Sequence, residues 1–249
     1  MTTLRIRVAG RLAATALTGA LLLGLVPASA AGAATRYAID VSARADFVAQ
    51  TNFVQCVGAS MQMMLNMIEP GQDRSASTQA RLQRLARAWG GSRPDGRERQ
   101  GASVRGWAAG LNLLGAGPYK LVGTQTLDGA LRIAASAITD TGKPVGLLVW
   151  RGRHAWVMSG FSATADPAVT NSFKVTRANV HDSLYPHGSA VWGPSPSPGE
   201  ALTPAELGRQ FVPRRNSNRF GGRPSTLGGK YVLVLPYEPD RSLLSSRAR

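Results

Sequence analysis

The spacing of apolar residues changes once along this 249-residue chain, near residue 145, and that change restricts the fold more than any single motif. Before it, Val57, Met61, Met64, Leu65 and Ile68 recur at helical spacing and predict a buried helix from Cys56 to Ile68, stopped by Pro70-Gly71. A second helix is predicted over about 77–89, with Leu82, Leu85 and Trp89 inward and Arg81, Arg84 and Arg87 in solvent. Ser103 can cap a short helix ending at Gly115, and 127–138 reads as another, closed by Gly142. Beyond the change, 145–150, 155–161, 173–180 and 231–235 are short apolar or alternating runs bounded by turn residues, which read as strands. The expected fold class is α+β, a helical first half packed on an antiparallel sheet. Three segments are expected outside it: the polar, Gly- and Arg-rich loop 90–101, the Gly-Pro-Ser-Pro stretch 193–199, which is not expected to join a sheet, and the loop-like 214–229.

The chain opens like an export signal. Arg5, Arg7 and Arg11 precede an apolar run over 17–26 and then small residues over 28–34, the three regions that an export peptidase reads. That run is short of the roughly 20 apolar residues of a membrane helix, and no later stretch supplies them. No cysteine stands at the small-residue site to carry a lipid, so the mature chain is expected to be secreted, with no transmembrane segment. The expected organisation is a signal peptide over 1–34, an N-terminal segment over 35–45, one domain over 46–239 and a flexible tail over 240–249.

Loss of the three arginines, with no acidic residue, lowers the formal charge from +15 to +12. The arginines of the remainder are scattered, with no basic run interleaved with aromatics, which argues against nucleic acid as a partner. Attraction to an anionic cell envelope suits an exported basic chain, and salt would weaken it. The methionines Met61, Met63, Met64 and Met67 read as core filler. Trp107, Trp150, Trp156 and Trp192 read as core or cleft wall. There is no Gly-rich phosphate loop and no paired Cys or His spacing, so no cofactor is expected; His181 and His187 flank Asp182 but lack further ligands for a metal.

Cys56 is the only cysteine, so it has no disulfide partner within the chain. At a predicted helix N-terminus, unpaired N–H groups and the positive end of the macrodipole favour a thiolate. A base is still required, and His154 opens a predicted strand that could hold its ring rigidly. The imidazole needs an orienting acceptor, which Asp182 could supply after a neighbouring strand. Gln50, on the loop entering the helix, could donate its amide to an oxyanion beside the Cys56 N–H. Taken singly, these are also a small buried hydrophobe, a core histidine, a turn opener and a loop residue.

In their joint order, Gln50, then Cys56-Val57-Gly58-Ala59-Ser60, then His154 to Gly160, then Val180-His181-Asp182-Ser183, the chain resembles the papain-like cysteine peptidases. The nearest likeness is to the bacteriocin-processing type, which cleaves leader peptides after a double glycine. The resemblance spans about 46–237, including a closing strand from Tyr231, and differs in placing Val57 where that type usually has glycine. It implies a papain-like α+β fold with Cys56 as nucleophile, His154 as general base, Asp182 as its orienter and Gln50 as oxyanion donor. It also implies a peptide or protein substrate. A cell-wall amidase or endopeptidase of the same group, or an inactive binding module on the same fold, are the alternatives. Export makes the first test simple: N-terminal sequencing of secreted material should find a start between Ala31 and Thr35, and a chain that keeps residues 21–25 would refute it.

Overall fold

The structure, a computed structural model, describes residues 37–69, 71–91, 100–216 and 225–239. The expected export segment 1–34, residues 92–99 of the expected loop and the tail 240–249 lie outside the described residues.

The fold is α+β, and every strand pairing is antiparallel. Helices α1 (Cys56–Ile68), α2 (Ala76–Ala88), α3 (Val104–Leu113) and α4 (Leu127–Thr141) fall where the apolar spacing puts them. Their ends have local causes. The Ser75, Ser103 and Thr126 hydroxyls accept from the N–H three residues on, and Gly142, at φ 65°, closes α4 in the left-handed region. A one-turn helix, α5 (Pro204–Leu207), follows late in the chain.

Among the described residues the main sheet has seven strands. Tyr119–Thr124 (β2), Tyr231–Pro236 (β9), Val145–Val149 (β3), His154–Ala163 (β4), Val175–Asp182 (β5) and Glu200–Leu202 (β8) lie in that spatial order. Tyr37–Asp40 (β1) pairs with the far end of β4, from Gly160 to Ala163, where β3 has already ended at Met158. The sheet is covered on both sides. Ala130, Leu131, Ala134 and Ile138 of α4 pack with Leu147, Trp156, Phe161 and Leu233 in one core. Met61, Met64, Leu82, Trp107 and Leu111 of α1–α3 pack with Ala155, Val157, Val232 and Val234 in the other. Burial of both faces is why these strands read as near-continuous apolar runs.

The first half is mainly helical, as expected, and also supplies β1 and β2 to the sheet. Three expectations need correction. The segment 35–45 contributes β1 rather than merely preceding the domain at 46. The stretch 193–199 does enter a sheet: Gly193–Pro194 (β7) pairs with Gly188–Ser189 (β6) in a two-stranded ribbon, an edge position where the missing Pro194 N–H is tolerated. Trp89 is 53% exposed rather than inward, since α2 ends at Ala88 and the chain turns away.

Helices α2 and α3 cross at a position that admits no side chain: a Cβ on Gly106 would lie 1.7 Å from the Ala86 carbonyl oxygen. Gly106→Ala should therefore lower stability by about 1–3 kcal/mol or more in urea denaturation. Ala88→Gly, at an exposed site near the end of α2, should cost only about 0.5–1 kcal/mol.

Candidate functional site

Four elements meet where β4 starts. Cys56 is the first residue of α1 and is half-buried. One turn on, the Ser60 hydroxyl donates to the Ala155 carbonyl at 3.3 Å, which seats α1 beside the first residues of β4. His154 is a hydrogen-bond partner of Cys56 and bonds Asp182 Oδ1 through Nε2 at 2.6 Å. With Nε2 occupied, the thiol falls to the Nδ1 edge of the ring. Asp182, the last residue of β5, is fully buried, and its Oδ1 also accepts from the Leu184 N–H at 2.9 Å. The other oxygen has no partner among the described residues.

Gln50 joins the same cluster through the chain beyond Asp182. Its N–H donates to the Ser183 carbonyl at 2.7 Å, its Oε1 accepts from the Ser183 hydroxyl at 2.9 Å, and its Nε2 donates to the Asn52 carbonyl at 2.8 Å. These bonds fix the amide orientation and leave one Nε2 hydrogen without an acceptor among the described residues. At the helix mouth, the Ala59 N–H is taken by the Gln55 carbonyl and the Gly58 N–H by Gln83 Oε1. The Cys56 and Val57 N–H groups make no bond among the described residues, so two donors of the α1 N-terminus stay open beside the sulfur.

Burial works against an imidazolium at His154, but the hydrogen bonds to Asp182 and Cys56 and the negative charges of both outweigh it. The pKa is pushed up to about 9. His181 shows the opposite balance: burial pushes it down to about 4, only partly countered by Asp40 and Asp46, and Ser159 Oγ meets its Nε2 at 3.1 Å. It is a neutral core histidine. His187 is exposed, and no group of three or more potential metal ligands occurs among the described residues.

All four residues singled out in the sequence thus converge, while the parts that hold them were not anticipated. Gln79 and Gln83, four residues apart on the inner face of α2, grip the loop before Cys56. Gln79 donates to the Ala49 carbonyl and accepts from the Thr51 N–H; Gln83 donates to the Val54 carbonyl and accepts from Gly58. Gly58 permits this approach, since a Cβ there would lie 2.7 Å from the Gln79 carbonyl oxygen. Two buried glutamines interrupting the Leu82 and Ala86 stripe were the available signal.

Trp150 was read only as core or wall, yet its indole stacks on the His154 ring at 4.1 Å between centroids. It does so from a left-handed backbone, φ 55° at Trp150 and 56° at Arg151, which costs about 1–3 kcal/mol per residue. Gln210 over-determines it: the Trp150 N–H donates to the Gln210 carbonyl at 2.9 Å and the indole N–H to Gln210 Oε1 at 2.8 Å. The covered ring is held in plane and shielded from water.

Set against protein-family models, curated proteins and solved structures, the chain matches none. Among the described residues no helix is long and apolar enough to cross a membrane.

With only three histidines in the chain, proton NMR can follow the ring titrations. His154 should titrate near 9 and His181 near 4. For His154, raised above its unfolded value near 6.5, the stabilisation is complete below about 6.5 and is lost as pH rises through 9. For His181 the stabilisation is present above about 6.5 and is lost as pH falls through 4. Cys56→Ala and Asp182→Asn should each lower the His154 midpoint and leave His181 in place; an unmoved His154 would show that the three groups are not coupled.

Proposed function

We propose that this chain is an exported thiol hydrolase, a cysteine peptidase or peptide amidase, on a papain-like α+β fold. One observation carries the reading: His154, bonded to the buried Asp182 at 2.6 Å, also meets Cys56 at the start of α1, and both partners push its pKa up. A cysteine at a helix N-terminus, beside a histidine that a buried carboxylate orients, is the arrangement of a thiol nucleophile with its base.

In this mechanism Cys56 Sγ attacks the scissile carbonyl carbon, and the oxygen takes up the electron pair of the broken π bond. The free Gln50 Nε2 hydrogen and the Cys56 N–H supply donors for that oxyanion. His154 passes its Nδ1 proton to the departing amine as the C–N bond breaks, leaving a thioester. It then takes a proton from water, which attacks the thioester and releases the acid. Asp182 stabilises the imidazolium throughout, and Trp150 keeps water from the His154–Asp182 bond. The exposed side chains of Phe53 (84%) and Val54 (38%), just before Cys56, suit contact with an extended peptide.

Cys56→Ala should abolish hydrolysis of a peptide library by the mature protein, while His187→Ala should leave it nearly intact. Gln50→Ala should lower kcat by about 10²–10³ with little change in KM. Labelling of Cys56 by iodoacetamide should stay near the wild-type rate in that variant, because alkylation develops no oxyanion. Unchanged turnover in folded Gln50→Ala protein would remove Gln50 from the site, and loss at His187 equal to that at Cys56 would redirect the reading to another pair.

A further inference from the structure

A cavity of about 450 Å³ opens beside the turn that carries Trp150, and it is lined by Arg151, Arg153, Arg215 and Trp192 as well as Trp150 itself. Arg151, Arg153 and Arg215 are exposed, and among the described residues none of their guanidinium groups has a carboxylate partner. Among the described residues no acidic side chain lines the cavity. Three positive charges with no carboxylate partner among the described residues, set around one concave site, repel one another, and an anion removes that repulsion. The site is also built rather than incidental: the Arg215 N–H donates to the Arg151 carbonyl at 3.0 Å, which ties the two walls together. The left-handed turn at Trp150 and Arg151 is locked by Gln210.

Its place relative to the chemistry gives it a direction. Trp150 forms a wall of this cavity and also stacks on His154. In acyl transfer to Cys56, His154 protonates the departing amine, so the portion of substrate on the histidine side is the leaving group. We propose that this cavity is the subsite for the leaving-group side of the substrate and that it takes a carboxylate, which the guanidinium groups bind by charge-assisted hydrogen bonds. The assignment to the leaving side rests on the hydrolase reading above; the anion site itself does not. A carboxylate there is either an acidic side chain after the scissile bond or the free C-terminus of a short leaving peptide.

Calorimetric titration of the Cys56→Ala protein with three acetylated alanine-based pentapeptides separates these possibilities. One carries aspartate and a C-terminal amide, one asparagine and an amide, and one asparagine and a free C-terminal carboxylate. At least one of the charged peptides should bind about tenfold or more tightly than the neutral one at low salt, and the gap should shrink at high salt. The charged peptide that shows it names the source. Arg153→Glu with Arg215→Glu, checked for folding by circular dichroism, should abolish or invert the preference; Arg151 is left in place because its φ of 56° disfavours other side chains. Equal affinities, absence of binding by all three, or a preference that survives charge reversal would overturn the subsite. Wild-type protein that shows the charge preference but hydrolyses no peptide would overturn the hydrolase reading and leave the anion site standing; peptide hydrolysis without the preference would do the reverse.

Discussion

Pairing of β4 with β5 places Trp156 opposite Asp182, and the candidate site inherits its geometry from that register. His154 and Asp182 stand at adjoining ends of two neighbouring strands, and a one-residue slip would send either side chain to the opposite face of the sheet. The register is held by burial: Trp156, Met158, Val180 and Ala178 lie in one core, and Ala155 and Val157 in the other. Two irregularities in the pairing, between Met158 and Gly160 and between Ser162 and Ala163, fall in the far half of β4 and leave the register of the half that carries His154 regular. At Gly160 the approach of β1 is so close that a Cβ would lie 2.3 Å from the Ile39 carbonyl oxygen.

Around that register lie groups that cost stability. Asp182 is wholly out of water with one oxygen unpartnered among the described residues, and His154 is only 4% exposed. A buried pair of this kind adds little net stability, because desolvation consumes much of the attraction, yet removing one member typically costs about 3–5 kcal/mol. The left-handed turn at Trp150 adds strain to the same corner. Two apolar cores, one on each face of the sheet, offset these terms, and this is the physical reason that the site sits at the end of a sheet buried on both sides.

Periodicity carried most of the fold. Helices α1–α4 and strands β3, β4, β5 and β9 were legible because each has a stripe or run long enough to stand out. Strands β1 and β2 were not: each is four to six residues of mixed polarity, and only pairing with a distant partner makes it a strand. Cys56, His154, Asp182 and Gln50 could be singled out because the chemistry demands those residue types in a limited set of local settings. Gln79, Gln83 and Gln210 escaped for the converse reason. A glutamine whose side-chain partner lies 25 to 60 positions away in sequence leaves no local pattern. Its meaning appears only when the loop it grips has come into place.

The grip of α2 on the loop before Cys56 links two properties that need not have been linked. Helix α2 supplies no group to the thiol, yet its Gln79 and Gln83 hold both ends of the segment from Ala49 to Gly58. This helix is amphipathic, with Arg81 and Arg84 in solvent, and its stability comes chiefly from the face it buries. Fraying of α2 would release the segment while the sheet is still intact. On warming, release of this segment would precede melting of the sheet that carries His154 and Asp182, so the loop before Cys56 would loosen ahead of global unfolding.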